Sequence, residues 1–302
     1  MATTLTNMVD DVLVIDAIQG ALKNSLPSLK AFALGIETTG KVQNDVVRVP
    51  VLGAATASTK TPGTASTSGG SVATTPVTID TYKESSWQLN EGQANAARAP
   101  KIFAGLAAEA TYAVVKYVID AVCGLVTAAN FDNADTDKLV VAPADMGMND
   151  IGTLWQKAED KKLGRMRSLI MNSAYTGQLI GNSNLGLILA TLGDKALLTA
   201  QLPPLLGFNA LNYSGLSDNS ENLGGFVTDQ GALGVALAPP EALVSAGEGN
   251  KISDVIITDP DSQIVVRYIT MSDADAGYIK GRVEVMYGVA KIQNSVIRLL
   301  SA

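Results

Sequence analysis

The chain has 302 residues, a formal charge of −7, no histidine and a single cysteine, Cys123. Without histidine there is no Ser-His-Asp or Cys-His machinery and no histidine-ligated zinc, copper or non-haem iron, and one cysteine makes neither an internal disulfide nor a cysteine cluster. The acidity argues against a surface that grips phosphate backbones, while 47% hydrophobic residues with only 5% aromatics predict a core of Ala, Val, Leu and Ile in broad interdigitating layers, in one large domain or two ordinary ones.

From Leu5 to Leu26 the apolar positions Leu5, Met8, Val9, Val12, Ile15, Ile18 and Leu22 recur at helical spacing, which predicts an amphipathic helix ended by Pro27. No positive charge precedes Lys23, and Asp10, Asp11 and Asp16 interrupt the apolar run. It therefore does not read as a secretory signal, and the chain is expected to stay in the cytoplasm. Such an arm folds back on its own domain or lies on a neighbouring subunit; periodicity leaves both open.

Val46 to Leu52 is rich in β-branched residues and predicts a strand. Gly53 to Pro76 is almost entirely Ala, Thr, Ser and Gly, with Lys60 as its only charge and Gly69-Gly70 as a turn signal. Val77 to Tyr82 alternates as a returning strand that runs on through Trp87 and Leu89. Two strands around a loop of about 24 residues make a long extended hairpin, with a plain surface loop as the alternative.

Pro100 to Asn130 is predicted as a single helix of roughly 45 Å, with proline in its first turn. Its charges Lys101, Glu109, Lys116 and Asp120 share about 100° of arc, and small residues (Ala104, Gly105, Ala107, Ala108, Ala110, Ala113) let neighbours pack close in its first half. Charges interrupt every window of about 20 residues, against a membrane span. Cys123 is expected as a small buried hydrophobe.

Past the helix, Asn133, Asp135 and Asp137 imitate the first ligands of a calcium loop, but Lys138 replaces the required glycine and Ala144 the bidentate glutamate; a solvated turn is expected. Met146 to Leu163 predicts a helix with Leu154 and Trp155 inward, Leu169 to Met171 a short buried strand, and Ala174 to Ile180 another helix, together an α/β unit. The cations Lys157, Lys161, Lys162, Arg165 and Arg167 read as compensation of a helix C-terminus rather than a phosphate site. Phe208 to Tyr213 and Gly225 to Ala238 are strand candidates. Ile264 to Met271, Ile279 to Tyr287 and Val289 to Leu300 are apolar-alternating strands, with Ser272 to Gly277 as a turn. No phosphate-binding fingerprint occurs, and nothing nominates a catalytic carboxylate pair.

An amphipathic arm, a long Ser/Thr/Gly-tipped hairpin, a long Ala-rich helix, an α/β unit and a C-terminal strand set follow in this order. With the segments Leu205-Leu206-Gly207-Phe208, Gly225-Phe226-Val227 and Tyr287-Gly288-Val289-Ala290-Lys291-Ile292, the chain resembles the major capsid proteins of tailed bacteriophages, the Hong Kong 97 type coat fold. The resemblance implies an α+β chain with residues 1–40 as N-arm, 41–95 as E-loop, 96–137 as peripheral domain with the spine helix, 138–260 as an α/β axial domain and 261–302 as returning strands of the peripheral domain.

The resemblance further implies a non-enzymatic shell subunit without cofactor or metal. Hexamers and pentamers would form an icosahedral virion capsid that encloses double-stranded DNA without reading its sequence, assembled in the bacterial host cytoplasm and away from membranes. Subunit contacts would fall on the E-loop tip, Lys60, Pro62, Gly63, Gly69 and Gly70, and on the N-arm, Val9, Val12, Ile15 and Ile18. Some relatives join an E-loop lysine to a peripheral-domain asparagine; Lys60 and Asn294 are the corresponding candidates, with no glutamate following Asn294. The length implies a separate scaffolding protein or none, with a portal and a decoration protein as further partners. Two other readings stay open, an encapsulin-like cellular nanocompartment shell and a carboxylate-dependent cytoplasmic hydrolase.

Overall fold

The run predicted as one helix from Pro100 to Asn130 folds as two. A computed structural model describes residues 11–24, 27–37, 41–52, 71–90, 92–93, 98–181, 204–216, 219, 221–241, 250–259, 264–273, 275 and 277–302. In it α1 spans Asp11–Asn24 and α2 spans Ala99–Gly124, the latter about 39 Å long at 1.5 Å per residue. Pro100 sits in the first turn of α2, where its missing N–H breaks no bond. The rod stops before Asn130 because Thr127 turns extended and caps a separate helical turn, α3 at Ala128–Phe131, its Oγ1 accepting from the Asn130 N–H at 3.3 Å. By length and composition α2 could cross a membrane, and 50% of its most apolar window is buried within the chain.

Six strands form the main sheet: β1 (Leu34–Glu37), β4 (Thr81–Asn90), β9 (Leu233–Ala238), β10 (Lys251–Asp259), β11 (Ile264–Asp273) and β12 (Tyr278–Lys291). Strand β12 is its hub, antiparallel to β4, β9 and β11, while β1 joins β9 in parallel. Alternation along β12 turns Ile279, Val283, Val285 and Tyr287 into the core shared with α2. There Trp87 stacks on Tyr268 with ring centroids 6.2 Å apart and meets Phe103 at 5.4 Å. Helix α1 lies on α2 through Val14, Ile18 and Leu22, spaced by four residues. The sequence places Val12 in that stripe, but Val12 is 68% exposed. Positions 12 and 14 are both valine, and packing against α2 rather than periodicity decides between them.

The second sheet runs in the order β5 (Lys138–Val140), β13 (Val296–Leu300), β8 (Leu223–Asp229), β6 (Arg167–Met171) and β7 (Phe208–Asn212). Helices α4 (Met148–Asp160) and α5 (Ser173–Gly181) cover it with Ile151, Leu154, Ala158, Tyr175 and Leu179. Trp155, predicted inward, is 44% exposed. Adjacent helical residues lie 100° apart, and the face centred on Ile151, Leu154 and Ala158 leaves Trp155 at its margin.

Three strand expectations are corrected. Gly225 to Ala238 is not one strand but β8 and β9, in different sheets, parted by a turn in which Asp229 Oδ1 accepts from the Gly231 N–H at 3.1 Å. The predicted break between Tyr287 and Val289 is absent, because β12 runs straight through Gly288. The two-stranded ribbon pairs β2 (Val46–Leu52) with β3 (Val72–Thr78), so the return strand begins at Val72 within the stretch read as loop and parts from β4 at Ile79-Asp80.

Sheet membership also cuts across the sequence-based partition. Strands β9 and β10, placed in residues 138–260, belong to the sheet under α2, and β13, placed in residues 261–302, belongs to the second sheet. After a first passage through α2 and α3, the chain crosses between the sheets again near residues 230–232 and 292–295, where no Pro/Gly/Ser-rich linker marks the passage.

Candidate assembly surfaces

The ribbon carries valines on a surface that the described part of the chain covers only at the base. Val47 faces Val77, Val49 faces Thr75 and Val51 faces Ala73, and residues directly opposite share a face. Val49 and Val77 are buried with Ile79 against Ala236, Ala238 and Met286. Farther out no third strand joins among the described residues, and Ala73, opposite Val51 on this face, is exposed; two strands alone are marginally stable in water. The base is tied by the Asn44 N–H donating to the Ile79 carbonyl at 2.7 Å and the Ile79 N–H donating to the Asp45 carbonyl at 2.9 Å. Asn44 adopts φ 73°, a left-handed conformation that asparagine tolerates.

On the face of the main sheet away from α2, a row of charges crosses four strands. Arg267 on β11 stands opposite Glu284 on β12, which stands opposite Glu84 on β4. The guanidinium forks onto Asp254 through two bonds of 2.7 Å and donates at 2.9 Å to Glu284 Oε1 and at 3.1 Å to the Glu241 carbonyl. Lys251 also pairs with Asp254. Arg282 lies 3.1 Å from Glu284 Oε2, which accepts from the Tyr82 hydroxyl at 2.7 Å. Arg267 and Lys251, against the cost of burial, hold the Asp254 carboxyl down at about 2. Burial, then the bond to Glu284, pushes the Tyr82 phenol up to about 12.

Beside this row lies an open groove of about 610 Å³, lined among others by Val42, Tyr82, Pro240, Ile269, Met271 and Met286. Asp254, bonded to the lining residues Arg267 and Lys251, is held ionised and cannot donate a proton near neutral pH. The row therefore works as a charge-neutralised seam between strands and offers Asp254 no acid role.

Another buried arginine ties the second sheet to the segment that follows α2 and α3. Arg298 on β13, only 1% exposed, donates at 2.5 Å to Glu221 and at 2.9 Å to both the Asp132 carbonyl and Asn133 Oδ1. Both Glu221 oxygens accept from the Ala128 N–H at the start of α3, and Asn219 donates at 3.1 Å to the Val126 carbonyl just past the end of α2. The turn that imitates a calcium loop is thus structural: Asn133 serves Arg298 and Asp137 pairs with Lys161.

Of the cation cluster, Arg167 bonds Glu159 at 2.7 Å and the Gly164 and Leu163 carbonyls at 2.8 Å, at the C-terminal end of α4. Cys123 is buried in α2, and burial pushes its thiol far up.

The sequence-predicted contact residues divide. Lys60, Pro62, Gly63, Gly69, Gly70 and Val9 lie outside the described residues. Ile18 is fully buried in the chain's own core, so it is not free to touch a neighbour; Ile15 is half-buried and Val12 faces outward. The Asn294 amide donates at 2.7 Å to the Asp132 carboxylate, a partner 162 residues away that no local pattern announces. Sequence reasoning singles out neither buried arginine as a site; the only signal is a charge in the middle of each apolar strand, Arg267 and Arg298.

No family model matches the chain, and no curated protein matches it either. Among solved structures, the chain is similar to the capsid of Ralstonia phage GP4, at 12% identity and TM-score 0.56 over 91% of this chain and 92% of that one. It is similar to a chain in the asymmetric unit of the bacteriophage PhiM1 mature capsid, at 10% identity and TM-score 0.54 over 91% and 86%. It also resembles the capsid of a native GTA particle, at 12% identity and TM-score 0.52 over 91% and 90%.

Proposed function

We propose that this chain, which has the Hong Kong 97 type capsid fold, is the major capsid protein of a tailed bacteriophage. Copies assemble through hexamers and pentamers into an icosahedral shell around double-stranded DNA, in the cytoplasm of a bacterial host, and the chain has no catalytic role. The observation that carries this reading is the ribbon, whose Val51–Ala73 end projects past the seat that buries Val49 and Val77. A second copy covers the part of this face that the described residues leave open. The acidic chain, at −7, suits a container that encloses DNA without gripping it. A scaffolding protein, a portal and a decoration protein complete the proposed set of partners.

Removing residues 56–74 tests the reading. The body should stay folded, since the ribbon beyond its base adds nothing to the two sheets, while closed shells should be lost in electron micrographs. Normal shells from the shortened chain would show that the ribbon is a surface loop without a role in assembly.

A further inference from the structure

We infer that Gly288 is a positioning residue that sets the angle at which the ribbon leaves the body; the link from that angle to assembly rests on the capsid reading. A glycine in the middle of the 14-residue strand β12 weakens it unless something approaches too closely for a side chain. Here a backbone does. A Cβ on Gly288 would lie 1.8 Å from the Thr78 carbonyl oxygen, 2.5 Å from its carbon and 3.0 Å from the Ile79 Cα, so the link between β3 and β4 rests directly on the strand.

Ala236 stands opposite Gly288 and Ala238 opposite Met286 on the same face of the sheet. These small residues make a low seat into which Val49, Val77 and Ile79 pack. On the other side the link is held by the paired bonds between Ile79 and Asn44-Asp45. The ribbon is therefore clamped between a hydrogen-bonded tether and a backbone contact, and the thickness of residue 288 sets its tilt.

The lever is long. A methyl group at 288 forces the Thr78 carbonyl back from 1.8 Å to ordinary contact near 3.4 Å. Over one strand spacing of about 4.8 Å that tilts the ribbon by about 20°, and over a strand of about 20 Å it moves the outer end by about 6 Å. Gly225 also meets a backbone, the Ile170 carbonyl at 2.5 Å, but that contact lies between neighbouring strands of the second sheet and not under the ribbon. At Gly234 the obstruction is the end of the Ile292 side chain, 2.3 Å away, which can swing aside.

The test is a distance measurement between spin labels on the full chain. Cys123→Ala removes the native thiol, Val72→Cys labels the ribbon and Glu109→Cys the exposed face of α2, with an excess of unlabelled chain to suppress distances between copies. Gly288→Ala should shift the mean distance by several ångströms, and Gly234→Ala should leave it in place. Ile79→Ala, which empties the seat without adding atoms, should broaden the distribution and serves where Gly288→Ala does not fold.

Micrographs of the same variants separate the two ideas. A shifted ribbon with loss of closed shells supports both. A shifted ribbon with normal shells supports the role of Gly288 and refutes the ribbon's part in assembly. A distance unmoved in Gly288→Ala, or in its absence a width unchanged in Ile79→Ala, overturns the inference.

Discussion

Replacing Arg267 by methionine should destabilise the subunit more than any other single charge removal in the main sheet. Arg267 is 6% exposed and donates two hydrogen bonds to Asp254, one to Glu284 and one to the Glu241 carbonyl. Removing it leaves the fully buried Glu284 with Arg282 and Tyr82 alone. Stranding one partner of a buried pair costs about 3–5 kcal/mol. At about 2–4 °C per kcal/mol for proteins somewhat smaller than this one, the melting temperature should fall by roughly 6–20 °C.

The pH profile adds a second signature. The Asp254 carboxyl is lowered from 3.8 to about 2, so its share of stability is fully present above pH 4 and disappears as pH falls through about 2. At about 1.4 kcal/mol per pH unit this is on the order of 2 kcal/mol. Arg267→Met should shrink that acid-sensitive part, and adding Glu284→Gln, which discharges the stranded carboxylate, should recover part of the loss. Calorimetry of subunits kept unassembled by dilution between pH 2 and pH 7 reads all three. A loss under about 1 kcal/mol, or a double variant no better than the single one, would refute the neutralised-seam account.

Two further outcomes follow from the same geometry. The Tyr82 phenol is raised to about 12, so its contribution is present below pH 10 and is lost as pH rises through about 12; Tyr82→Phe should cost about 1 kcal/mol at neutral pH and remove that alkaline loss, which an alkaline titration of stability detects. Leu154→Ala should cost about 2–5 kcal/mol, whereas its neighbour Trp155→Ala should cost less than about 1 kcal/mol in urea unfolding, since only Leu154 is buried.

Elements with strong local patterns are legible in the sequence. Val46 to Leu52 reads as a strand with its true ends, and the strand at Leu169 to Met171 and the helix after it fall where predicted. What is not legible depends on contacts distant along the chain. Gly288 resembles a strand breaker until the Thr78 carbonyl is placed above it, and the valines of α1 are equivalent until α2 selects Val14 over Val12. Composition also misleads around the ribbon: Val72 to Pro76, with two threonines and a proline, reads as polar loop, yet it pairs residue for residue with β2. The arginine sites are illegible because Arg267 and Arg298 find their carboxylates on other elements, Arg298 with Glu221 at a separation of 77 residues.

In the proposed shell the outer ribbon finds its cover on another copy of the chain. Electron cryomicroscopy of this chain, co-expressed with whatever scaffold it requires, decides the point. Closed particles with the Val51–Ala73 face lying on an adjacent subunit are the predicted result. A chain that stays monomeric at high concentration, or particles in which each ribbon folds onto its own body, would contradict it.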